Sequence, residues 1–271
     1  MSDDLLMNIH VDDVEKRLYV SRPKENKSGA LSPCNMSPDD VDYEMSKGMD
    51  KRILEICGMN QESLESFVDK YGQTYESLYF FKCQLISDFS PLAKLKNLKA
   101  VRIYWNIRSD GLWDMTENES LTHLDISDSK IITRNLKLLK TGKNLKYIKL
   151  SGGMFEKYPL EDLSVFENMQ SLESLTLYDI KLGDRNTAFL KTLPNLTEFH
   201  FDAGMFTTEE IAYIFRLIEL PLQPVEAAAG VIVSCHNISS CFAVIIAVVP
   251  GAGEAPAVGV GQGTMSLEST V

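Results

Sequence analysis

The sequence predicts an α/β fold: a solenoid in which a curved parallel sheet lines one side and helical or 3-10 segments return along the other. Three observations predict it. A short apolar motif recurs seven times along the chain. The intervals between copies are nearly constant. Each interval carries a second apolar stripe of its own.

The motif is L-x-x-L-x-L-x-x-N/C-x-L, the pattern of the leucine-rich repeat. A weaker first copy begins at Lys51, with Leu54 and Ile56. Tyr75, Leu78, Phe80, Cys83 and Leu85 form the second, and Leu98, Val101, Ile103 and Asn106 the third, with Arg108 at its last place. Leu121, Leu124, Ile126, Ser129 and Ile131 follow, then Leu145, Ile148, Leu150, Gly153 and Phe155. Leu172, Leu175, Leu177, Ile180 and Leu182, then Leu196, Phe199, Phe201, Gly204 and Phe206, complete the series. Successive copies start 24, 23, 23, 24, 27 and 24 residues apart.

Residues alternate across a strand, so the fourth and sixth motif positions face one side together. At the ninth position the chain turns. There Asn106 or Cys83 can bond to open backbone groups, and Gly153 and Gly204 are expected to take a positive φ. The returns carry the pairs Leu92 and Leu95, Leu136 and Leu139, Leu163 and Phe166, and Phe189 and Leu193. No single unit can bury its own apolar face, so stacked neighbours are expected to share one continuous core.

The return Ser87–Leu98, which contains Asp88, Phe89, Ser90, Pro91, Leu92, Ala93 and Leu95, resembles the D-I-S-P-L-A-x-L-x-x-L segment of bacterial internalin-type repeats. The other returns are longer and more varied. The resemblance covers roughly residues 51–216 and implies a curved parallel sheet and recognition of other proteins.

The chain is thus expected in three parts. Residues 1–50 are a cap and linker: Arg17–Val20 is a candidate strand covering the first unit, and Ser21–Lys47, rich in Ser, Pro, Asp and Asn, is expected to be loop or disordered linker. Asp39, Asp40 and Asp42 read as solvated surface, because they lack the ligand spacing and glycine of a calcium loop. Residues 51–216 are the repeats. Residues 217–271 are a tail with four acidic residues and no Lys or Arg. The prolines Pro221 and Pro224 break the pattern where an eighth copy is due.

Residues 231–249 of that tail are apolar and free of formal charge, which reaches the length of a short membrane span. The alternatives are a hydrophobic tail or cap strand and a product of a shifted reading frame. His236 and Asn237 inside the stretch, and the lack of a basic flank, count against a span.

Composition narrows the function classes. A net charge of −11 supplies no basic face for phosphates, so nucleic acid is not an expected partner. Five cysteines without a CxxC pair indicate neither a disulfide framework nor a zinc site. The acidic start, Met1 to Asp4, is unlike a signal peptide, and a bacterial cytoplasm is the expected location, with membrane association through the tail as the alternative.

No catalytic set with workable spacing is present, and no cofactor or metal is expected. His123 and His200 fall three units apart, about 15 Å at the usual strand separation. A non-enzymatic protein-binding module is therefore expected. Its contact surface would be the concave strand face, where the residues between the leucines project together. The candidate partner-binding residues are Tyr79, Phe81, Arg102, Tyr104, Tyr147, Lys149, Tyr178 and His200, with Trp105 at the rim. Tyr, Trp and Arg are enriched at binding hot spots, although tyrosine also suits half-buried strands by propensity alone.

Overall fold

A computed structural model describes residues 19–20, 35–47, 53–153, 156–219 and 232–236. Strand β1 is Tyr19–Val20, β2 is Ile53–Cys57, β3 is Ser77–Phe81, β4 is Ala100–Tyr104, β5 is His123–Ser127 and β6 is Tyr147–Ser151. Strands β7 (Tyr158–Leu160), β8 (Ser174–Tyr178), β9 (Ile180–Leu182), β10 (Glu198–Asp202) and β11 (Ile232–His236) follow. Nine of them form one parallel sheet in the order β1-β2-β3-β4-β5-β6-β8-β10-β11, so each strand lies beside its predecessor in that series. Strands β7 and β9 pair separately, also in parallel. The fold is α/β, with few helices.

The strands stay in register from unit to unit. Leu78, Val101, Leu124, Ile148, Leu175 and Phe199 are successive partners, and so are Phe80, Ile103, Ile126, Leu150, Leu177 and Phe201. All of these side chains are buried in one core. Alternation makes this possible: β4 and β8 bury two positions on the core side, while the residues between them stay partly exposed. The returns supply the opposite wall, and Leu92, Leu95, Leu139, Leu163, Phe166, Phe189 and Leu193 are all buried there.

These returns run as 3-10 turns, at Ser90–Lys94, Lys130–Thr133, Lys137–Thr141, Ser164–Phe166 and Ala188–Thr192. The return between β2 and β3 is the exception, with an α-helix at Gln61–Lys70 in an interval of the same length. Asp88 and Asp162 each bind the backbone and hydroxyl of the serine that opens the turn, Ser90 and Ser164.

Buried asparagines tie the turns of adjacent units together. The Asn106 amide donates to the carbonyls of Cys83 (2.8 Å) and Ile86 (2.9 Å), and its oxygen accepts from the Ser109 N–H. Asn118 donates to the carbonyls of Leu92 and Leu95, each at 2.9 Å, and accepts from the Trp113 indole at 2.8 Å. Each asparagine satisfies backbone groups that the preceding turn leaves open.

Several expectations change at the ends and turns. The Ser21–Lys47 stretch holds a helix, α1 (Pro38–Met45), where loop was expected. Ser37 and Asp40 close a capping box at its start, and Pro38 occupies its first turn. Asp42 is engaged on the neighbouring helix α2 (Gln61–Lys70), bonding Lys70 Nζ at 2.6 Å and the Tyr71 hydroxyl at 2.9 Å. Tyr19–Val20 pairs with β2 at Glu55 and Ile56, whereas Arg17 and Leu18 lie outside the described residues.

Neither Gly153 nor Gly204 has a positive φ; that conformation falls one place after the strand instead. Gly58, Lys82, Trp105, Asp128 and Asp179, each directly following a strand, have φ between 47° and 83°. At Gly152 the constraint is space: a Cβ there would lie 1.9 Å from the Asp179 carbonyl oxygen.

A third helix, α3 (Thr208–Glu219), runs past residue 216. Ile232–His236 then pairs along β10 as the last strand of the sheet. The rest of the apolar stretch 231–249 lies outside the described residues, as do Pro221 and Pro224. Among the described residues no helix is long and apolar enough to cross a membrane.

Candidate interaction face

The face of the sheet opposite the core, called here the outer face, carries three rows of side chains set by the strand register. The first runs Ile53, Ser77, Ala100, His123, Tyr147, Ser174, Glu198. The middle row is Glu55, Tyr79, Arg102, Asp125, Lys149, Thr176, His200. The third begins Cys57, Phe81, Tyr104, Ser127, Ser151, Tyr178. Neighbours within a row are one strand spacing apart, about 4.8 Å.

Eight of the nine candidate residues lie in these rows, and Trp105 directly follows β4. They fall into separate groups. Tyr79, Phe81 and Tyr104 pack together with Ile53 toward the β2 side. Phe81 and Tyr104 stack with centroids 5.5 Å apart and planes 18° from parallel. Tyr79 is only 7% exposed, deeper than a surface tyrosine, because Ile53 and the Arg102 guanidinium cover it. Burial pushes its hydroxyl pKa up to about 12, so it stays a neutral phenol.

Trp105 is 38% exposed and sits at φ 56°, a conformation that disfavours any side chain with a Cβ. Lys82 Nζ lies 4.9 Å from the Phe81 ring centre and 5.0 Å from that of Trp105. Two aromatic faces therefore share one cation. Ile107, two residues beyond, is 43% exposed.

Next in the middle row is a charged group centred on Asp125. Arg102 Nε lies 3.2 Å from Asp125 Oδ2, and Lys149 Nζ 3.7 Å from the same oxygen. Ser127 also donates to Asp125. The Arg102 contact is close but not aligned as a hydrogen bond, and Nε is buried without one. One carboxylate thus serves two cations.

Farther along, Tyr147 stacks on His123 at 4.3 Å and donates to Glu173 Oε2 at 3.1 Å. Lys146 also binds Glu173 and, with Tyr147, holds its carboxyl below the usual range. His200 Nε2 is 3.6 Å from Glu198. Tyr178 lies in the third row, beside Ser151. Asp179 and Asp202 crowd each other at that end, with Lys157 at 3.8 Å from Asp202. Burial first, and then Asp202, raises the Asp179 pKa.

His123 and His200 are three strands apart in the sheet, too far to share an ion. Among the described residues no group of three His, Cys, Asp or Glu is placed to hold a metal.

Sequence reasoning omitted three residues. Lys82 bridges the aromatic rings, and Glu55 and Cys57 extend the face onto β2. Alternation from the weak first copy, Leu54 and Ile56, places Glu55 and Cys57 on this face. Nothing in the sequence marks Lys82.

No family model matches the chain, and no curated protein matches it either.

Proposed function

We propose that the chain is a leucine-rich-repeat solenoid of the internalin-like kind, which works without catalysis by holding another protein against its outer strand face. One observation carries the proposal: the two faces of the same strands are built to different rules. The core face repeats aliphatic and aromatic residues without a break, while the middle row of the outer face changes chemistry at every strand. Packing explains the first pattern but does not require the second.

The exposed end of the aromatic group adds support. Trp105 remains 38% exposed beside Lys82, and tryptophan is enriched at binding hot spots.

The test compares the full chain with a Tyr104→Ala, Tyr147→Ala double variant as bait in lysate of the native host, read by mass spectrometry. A partner retained by the wild type and lost by the variant, with circular dichroism unchanged, is the expected outcome. Equal capture by both baits rejects the outer face as the binding surface.

A further inference from the structure

We infer that the partner is engaged through an acidic side chain, an Asp or Glu carboxylate in an extended segment, received by Arg102 beside Phe81, Tyr104 and Trp105. This rests on the reading of the outer face as a protein-binding surface and specifies its chemistry.

Arg102 is held on two sides. Its guanidinium lies over the Tyr79 ring, 4.7 Å from the centre, and its Nε is drawn to Asp125 at 3.2 Å. Those contacts fix the plane of the group and leave its two terminal nitrogens pointing away from the fork's stem. Among the described residues no hydrogen bond is made by either of them, and the side chain keeps 27% of its exposure. A planar pair of N–H donors in that state matches a carboxylate in bidentate geometry.

Charge selects the same ligand. Asp125 is 12% exposed and already shared by Arg102 and Lys149, so the group of three carries one net positive charge, and Lys82 adds a cation beside Phe81 and Trp105. An anion is therefore favoured, and a single arginine suits a carboxylate, whereas phosphate recognition usually gathers several arginines. A long acidic run is disfavoured as well, because the whole chain carries −11. The far end of the face, with Glu198, Asp179 and Asp202, has the wrong sign for an acid. The aromatic group lies one strand from Arg102 or on its own strand, so apolar residues flanking the acid would meet Phe81, Tyr104 and Trp105.

The experiment pans a displayed library of random dodecapeptides against the full chain. Enriched peptides are then synthesised with amidated C termini, which removes the terminal carboxylate as a source, and their affinities are measured by fluorescence polarisation. Each Asp or Glu is replaced in turn by its amide. The expected result is one acidic position at which the amide weakens binding roughly tenfold or more. Arg102→Lys and Arg102→Gln, checked for folding by thermal melts, should erase the difference between acid and amide. The Tyr104→Ala, Tyr147→Ala variant should weaken both forms alike.

If the tyrosine variant weakens binding while acid and amide forms bind equally, the inference is overturned and the face still stands as a binding surface. If peptides bind and neither set of variants matters, both fall. Failure to enrich any peptide overturns the inference, since a linear acidic segment is what it requires.

Discussion

The two sides of strand β8 are built from different residues. Leu175 and Leu177 face the core and are fully buried, between equivalents from β6 and β10. Thr176 points the other way and is only partly buried, between Lys149 and His200. The same contrast recurs in β4, β5 and β6. Where a side chain must fill the space between two buried apolar neighbours, volume and apolarity decide the residue. Where it borders solvent, the position is open to other demands. Core packing is therefore written on alternate residues of one strand, and a partly exposed residue between them, such as Thr176, can be altered with little effect on it.

The largest test of that separation is Leu175→Ala against Thr176→Ala. The first leaves a cavity between Ile148 and Phe199 and should cost about 2–5 kcal/mol in urea unfolding. The second should stay within roughly 0.5 kcal/mol of wild type. Equal costs would break the comparison.

A smaller effect should come from Asn118→Ala, which strands the Leu92 and Leu95 carbonyls and the Trp113 indole. With each unsatisfied buried group costing about 1–3 kcal/mol before relaxation and water entry, a net loss of roughly 2 kcal/mol is expected by the same measurement. It would show that the turns, and not only the strands, hold the core closed.

The smallest effect is on the outer side and has the opposite sign. The Asp179 pKa is raised in the folded state, so its protonated form is favoured there. That stabilisation is complete below the unfolded value near 3.9 and is lost as pH rises through the folded pKa. At neutral pH the ionised group is a liability. Asp179→Asn, which tolerates the φ of 50°, should stabilise by a few tenths of a kcal/mol at pH 7 and give no gain at pH 3. Equal shifts at both pH values would point to backbone effects alone.

Much of the sheet was legible from spacing. The strands begin at Ile53, Ser77, Ala100, His123, Tyr147, Ser174 and Glu198, two residues into each motif copy. The periodicity is visible because neighbouring units must present matching apolar surfaces. Helix α1 was also readable, since Ser37, Pro38 and Asp40 spell a helix start; composition rich in Ser, Pro and Asp concealed it. Pairing of Tyr158–Leu160 with Ile180–Leu182 was not readable, because it depends on how two returns of unequal length meet.

For the candidate face, alternation alone placed the rows. It did not show that Tyr79 is buried, which depends on Ile53 and Arg102 across the strands. Nor did it show the left-handed residue that follows five of the strands. Lys82 and Trp105 carry no local preference for that conformation, and the stacking of units imposes it.

The pairing of Lys82 with Trp105 has a consequence for association. The Trp105 ring rests against the Lys82 ammonium, so part of its freedom is already restrained before anything settles on it. A visiting protein would therefore find a contact whose entropic toll is partly settled in advance, and more of the area it covers would appear as affinity.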